Sequence, residues 1–129
     1  MADPGVGSVK PMHEMGIVQS IMDIIEEQAR QHRARRITKV SLEFGMLTAV
    51  MPAAIQFAFD ILSRDTVAEG AILDIRIIPL TILCAECGKQ SELENYTPLC
   101  PQCSSPALHI IRGRDEMRIA SLEIEEEPS

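Results

Sequence analysis

Residues 84–103 read CAECGKQSELENYTPLCPQC, and the fold turns on them. Cys84 and Cys87 form one pair and Cys100 and Cys103 the other, and the chain has no further cysteine. Two residues between the members of a pair let both sulfurs reach one ion, and four thiolates close a tetrahedron around Zn²⁺. Gly88 permits a tight turn after the first pair. Pro101 stiffens the second. Two disulfides are the rival reading, but no secretory signal precedes them to supply an oxidising compartment. A redox dithiol needs one pair only. Four protein ligands leave no open position, so the zinc is structural. About thirty residues hold too little apolar surface to fold without it.

Outside this module the chain alternates helix and strand. A helix is expected from Glu14 to Ala34, with Ile17, Ile21, Ile24 and Gln28 beside Val18, Met22, Ile25 and Ala29 as its inward stripe. Val40, Leu42 and Phe44 alternate with Lys39, Ser41 and Glu43 in a strand from Arg36 to Phe44. A second helix is expected from Pro52 to Arg64. Pro52 suits its first turn, and Ile55, Phe59 and Leu62 face inward with Phe57, Ala58 and Ile61. Strands follow at residues 71–79 and 116–125, the latter with a bulge between Ile119 and Leu122. A strand–helix–strand unit favours a parallel pair made by a right-handed crossover. The cysteine module, if its ends lie together, makes the last strand antiparallel. The expected fold is α+β: a three-stranded mixed sheet with two helices on one face, and an inserted four-cysteine zinc ribbon. Residues 12–80 and 116–129 are expected to form the α/β domain and residues 81–115 the ribbon.

The bulk composition narrows the function. Of 129 residues 46% are hydrophobic, enough for one core, but only 3% are aromatic and none is Trp, so that core is aliphatic. The net charge of −7 argues against binding a phosphate backbone, and no apolar run reaches membrane-spanning length. A cytoplasmic protein without nucleic-acid or membrane partners is expected. The cluster Arg30, Arg33, Arg35 and Arg36 suits the end of a helix better than a nucleic acid. No nucleophile triad, phosphate loop or acid pair stands out, so no enzyme is expected. His32 and His109 read as surface residues, and Met15 and Met22 as core fillers.

Met12-His13-Glu14 opens the first helix after residues 1–11, which are Gly- and Pro-rich and read as a disordered leader or an added extension. Were Met12 first, its amine, the next backbone nitrogens and the His13 imidazole would form fused chelate rings. Such nitrogen-rich sites suit Ni²⁺ or Cu²⁺. Imidazole must be neutral to bind, so affinity should fall below a pH of ~6.5.

The start Met-His-Glu-Met-Gly-Ile at residues 12–17, the strand end Leu42-Glu43-Phe44-Gly45, Phe57-Ala58-Phe59 in the second helix and the two cysteine pairs together resemble the HypA/HybF family of hydrogenase nickel-incorporation proteins. The resemblance runs from Met12 to Glu125. It implies a nickel metallochaperone that carries Ni²⁺ as cargo to the large subunit of NiFe hydrogenase, in some bacteria also to urease, and works with a maturation GTPase. A monomer or weak homodimer is expected. The resemblance puts nickel on Met12, His13 and Glu14, with Glu14 acting through its backbone nitrogen, and zinc on Cys84, Cys87, Cys100 and Cys103. One departure matters: in the family the Met is the first residue, whereas here eleven residues precede it, and an amide is a poorer ligand than an amine. The alternative function is a zinc-ribbon interaction or regulatory module without nickel transfer.

Overall fold

A computed structural model describes residues 10–126 of the chain, with side chains from Glu14 onward. The elements run α1 (Lys10–Gln31), β1 (Ala34–Gly45), a 3₁₀ turn (Met46–Thr48), α2 (Pro52–Leu62), β2 (Ile72–Ile78), β3 (Leu80–Cys84), β4 (Gln90–Leu93), β5 (Leu108–Arg112) and β6 (Met117–Glu126). The leader expected over residues 1–11 falls outside the described residues up to position 9, and Lys10 already belongs to α1.

Helix α1 stops at Gln31, three residues short of the expected end. Arg33 adopts a left-handed conformation, φ 50°, and turns the chain into β1 at Ala34. Val18, Ile21, Met22, Ile25 and Ala29 form its buried stripe, whereas Ile24, expected inside, is 52% exposed. Helix α2 starts on Pro52 as expected and ends at Leu62, where the Ser63 N–H closes on the Phe59 carbonyl at 2.9 Å. Its buried residues are Ile55, Ala58 and Phe59. Phe57 was expected to widen this face but is 66% exposed. It lies two positions from both Ile55 and Phe59, about 200° around the helix from each, and so points away from them.

Strand β1 is the middle of the mixed three-stranded sheet β2-β1-β6. Its pairing with β6 is antiparallel: the Gly45 N–H donates to the Glu116 carbonyl at 2.9 Å, and at the other end the Thr38 hydroxyl donates to the Glu123 carbonyl at 3.1 Å. Val40, Leu42 and Phe44 are buried, which confirms the period of two. Glu43 points the other way. Arg118 donates to it at 2.6 and 2.8 Å, and Arg76 lies 4.0 Å from it, so the three strands are also tied by charge. In β6 the half-buried positions are Ile119, Leu122 and Ile124, and the break in alternation is present.

The inserted cysteine ribbon is a three-stranded antiparallel sheet of order β4-β3-β5. Strand β3 follows β2 across Pro79, whose lack of an N–H helps to separate the two ladders. Leu80 pairs with Leu93 and Leu83 with Gln90 on one side; Cys84 pairs with Leu108 on the other. The lone tyrosine of the chain, Tyr96, lies exposed between β4 and the second cysteine pair.

Two compact units divide the chain. One comprises residues up to Ser41, Val50–Asp74 and the chain from Ser121. It holds both helices, and its core is Val18, Met22, Ile25, Ile37, Val40, Ile55, Phe59 and their neighbours. The other comprises Leu42–Ala49 and Ile75–Ala120, with Leu42, Phe44, Leu80, Ile82, Cys84 and Cys100 buried. Within the second unit, Gly113 sits at φ 91° where the chain leaves β5. Its N–H donates to both carboxylate oxygens of Glu116 at 3.1 and 3.0 Å, and its carbonyl accepts the Leu47 N–H at 2.8 Å. A Cβ on Gly113 would stand 2.5 Å from the Pro79 carbonyl oxygen and 2.7 Å from the Leu80 Cα, so only glycine fits.

Candidate metal centre

The two cysteine pairs are built by the same turn used twice. In the first, the Cys84 N–H donates to the Lys89 carbonyl at 3.0 Å and the Gly88 N–H to the Cys84 carbonyl at 2.9 Å. In the second, the Cys100 N–H donates to the Ser105 carbonyl and the Ser104 N–H to the Cys100 carbonyl, both at 2.8 Å. The residue after the second cysteine is left-handed in both, φ 72° at Gly88 and φ 64° at Ser104. Inside each turn a backbone N–H points at the leading sulfur: Cys87 to Cys84 Sγ at 3.5 Å, and Gln102 to Cys100 Sγ at 3.3 Å. Ser105 is buried, and its Oγ accepts the Ala107 N–H at 3.0 Å, which braces the second turn against β5.

These turns bring the four sulfurs together. The Cys84 and Cys103 sulfurs lie 3.6 Å apart, those of Cys87 and Cys100 3.8 Å, and all four within 4.8 Å of one another. A tetrahedral zinc with Zn–S bonds of about 2.3 Å has S···S edges of about 3.8 Å, so the group has the size of a zinc tetrathiolate. All four cysteines are free thiols, which removes the disulfide reading. Cys84 and Cys100 are buried and Cys103 is exposed.

Two of the thiols, Cys84 and Cys103, are shifted in opposite directions. The Cys87 backbone N–H, foremost, together with the Glu86 N–H and the neighbouring sulfurs of Cys103 and Cys87, brings Cys84 down to about 6 against desolvation. At Cys103 the Ser105 backbone N–H pulls downward, but desolvation and the three other cysteine sulfurs outweigh it and push the thiol up to about 12. One sulfur sheds its proton readily and another holds it until a cation arrives, as expected of four sulfurs sharing one space.

Among the described residues no second group of three or more His, Cys, Asp or Glu side chains converges. His109 lies exposed on β5 opposite Leu83, and exposed His32 places Nδ1 3.0 Å from the Gln28 carbonyl oxygen. Neither joins the cysteines. Of the nickel segment, Met12 and His13 lie on α1, and their side chains are outside the described residues. Glu14 is described. Its side chain is 2% exposed, and its Oε2 accepts the Met51 N–H at 3.4 Å. The resemblance implies only a backbone role for Glu14; this side-chain contact joins positions thirty-seven residues apart, and no local pattern announces it. Ser104 stands where the first cysteine pair has Gly88, a match visible once the two pairs are set side by side.

The sequence model of the family described as "Hydrogenase/urease nickel incorporation, metallochaperone, hypA" matches residues 12–124. The chain belongs to the HypA family. It is 45% identical over 112 residues to hydrogenase maturation factor HybF of Klebsiella pneumoniae, covering 87% of this chain and 98% of that protein. It is also 45% identical over 114 residues to hydrogenase maturation factor HypA of Aquifex aeolicus, covering 88% and 98%. The solution structure of the nickel metallochaperone HypA from Helicobacter pylori superposes with a TM-score of 0.62 at 28% identity, covering 88% of this chain and 98% of that one. A further HypA solution structure superposes with a TM-score of 0.67 at 30% identity, covering 90% and 98%.

Proposed function

We propose that this protein is a nickel metallochaperone of hydrogenase maturation, binding Ni²⁺ through the segment Met12-His13-Glu14 and releasing it to a hydrogenase precursor. One observation carries the reading: the HypA family match begins on Met12 and encloses that segment and both cysteine pairs. The H. pylori relative, described as a nickel metallochaperone, supports it. Cys84, Cys87, Cys100 and Cys103 hold Zn²⁺, which supplies a cross-link between two turns and no open coordination position. Nickel sits on the His13 imidazole and the backbone nitrogens beside it. The protein performs no catalysis and acts in the cytoplasm with the maturation GTPase and the large subunit of NiFe hydrogenase as partners; urease is a further recipient. Residues 12–80 with 116–129 serve as the nickel domain and residues 81–115 as the zinc ribbon.

Calorimetric titration with Ni²⁺ tests this on the full chain, on a form beginning at Met12, and on each with His13→Ala. Tight binding is expected with the free Met12 amine, weaker binding when residues 1–11 precede it, and loss of binding in both His13→Ala forms. Nickel uptake indifferent to His13 would refute the assignment.

A further inference from the structure

Glu14 is the one charged residue among the described residues that is fully buried. No arginine, lysine or histidine among them forms an ion pair with it. A carboxylate out of water needs donors, and among the described residues the backbone N–H of Met51 supplies one, at 3.4 Å.

Met51 is the N-cap of α2, with φ −99° and ψ 114° and no side-chain cap of its own. Helices often close this end with a glutamate in the first turn whose carboxylate reaches back to the N-cap N–H. Here that turn is Pro52, Ala53 and Ala54, without an acid, and Ala54 stands where the glutamate would be. Glu14, on another helix, delivers the same carboxylate to the same N–H. The positive end of the α2 dipole favours a negative group there.

We propose that Glu14 is a positioning residue for the nickel-binding segment: its carboxylate caps α2 in place of the missing first-turn acid and thereby fixes the backbone of residues 12–14, staying outside the nickel coordination sphere. This rests on the nickel reading above. The carboxylate is buried with one oxygen on the Met51 N–H, which assigns it to the helix. Nickel then meets backbone nitrogens held in register by a side chain it never touches.

Two substitutions separate positioning from ligation. Glu14→Gln keeps an acceptor oxygen for the Met51 N–H and removes the carboxylate; Glu14→Ala removes both. Amide exchange at Met51, followed in zinc-loaded, nickel-free protein, should accelerate about tenfold in Glu14→Ala and stay within about threefold of the parent in Glu14→Gln. Nickel affinity of the form starting at Met12 should follow the same order, about tenfold weaker for Glu14→Ala and near parental for Glu14→Gln. Two results would overturn the proposal: Glu14→Gln losing nickel as completely as His13→Ala, which makes the carboxylate a ligand, or Met51 exchange unmoved by Glu14→Ala. Should Glu14→Ala fail to fold, Glu14→Gln decides, since parental exchange and affinity are required of it. A parent that takes up no nickel would overturn the nickel reading and the segment's role with it. Failure confined to the Met51 exchange arm would strike the cap alone, so the two failures remain distinct.

Discussion

Equivalent positions in the two cysteine turns carry different residues and therefore different strain. Gly88 adopts φ 72° at no steric cost, whereas Ser104 holds φ 64° with a Cβ. A left-handed L-residue costs roughly 1–2 kcal/mol, part of which a glycine returns to the unfolded chain as entropy. Ser104→Gly should therefore raise the stability of the zinc-loaded protein by about 0.5–1 kcal/mol. Gly88→Ala should lower it by about 1 kcal/mol through conformation alone, because a Cβ at Gly88 meets nothing within 4 Å. Thermal unfolding of both variants checks the pair, and a stabilising Gly88→Ala would contradict the account. At this scale the sequence was legible wherever spacing carries the information: four cysteines in two pairs announce four converging sulfurs. It was silent where a residue works against its own preference, as Ser104 does, or through a distant contact, as Glu14 does.

The phenylalanines of α2 show how far periodicity alone reaches. Hydrophobicity marks Phe57 and Phe59 equally, but helical geometry admits only one to the buried face, and Ile55 and Ala58 settle which. Phe59→Ala should cost about 3–5 kcal/mol and Phe57→Ala within about 0.5 kcal/mol, measured by denaturant unfolding. Comparable losses for both would mean that Phe57 is covered in solution. Strand β1 was legible because Val40, Leu42 and Phe44 alternate, although the step from buried Ile37 to Val40 breaks that period. Helix α1 was overrun at its end because Arg33, a residue with no turn signature, makes the left-handed reversal a glycine would have advertised. Strand β4 of the zinc module, Gln90–Leu93, carries a single strongly apolar residue, Leu93, and so gives no periodic signal in the sequence.

Both helices lie in the unit without cysteines, while β3, β4 and β5 and all four sulfurs lie in the other. The buried side chains of the ribbon strands are few, chiefly Leu80 and Ile82, and cannot offset the entropy of ordering that segment without the cross-link. Chelation of zinc should abolish amide protection in β3, β4 and β5 and leave the helical circular dichroism of α1 and α2 largely in place. Complete loss of the helical signal would show that the metal supports the entire chain. The same division gives the protein a built-in reporter. With no tryptophan and a single tyrosine, at position 96 inside the cysteine segment, its tyrosine emission comes from the zinc module alone, so an unlabelled sample in a fluorimeter can follow that module while the cargo segment is loaded or emptied.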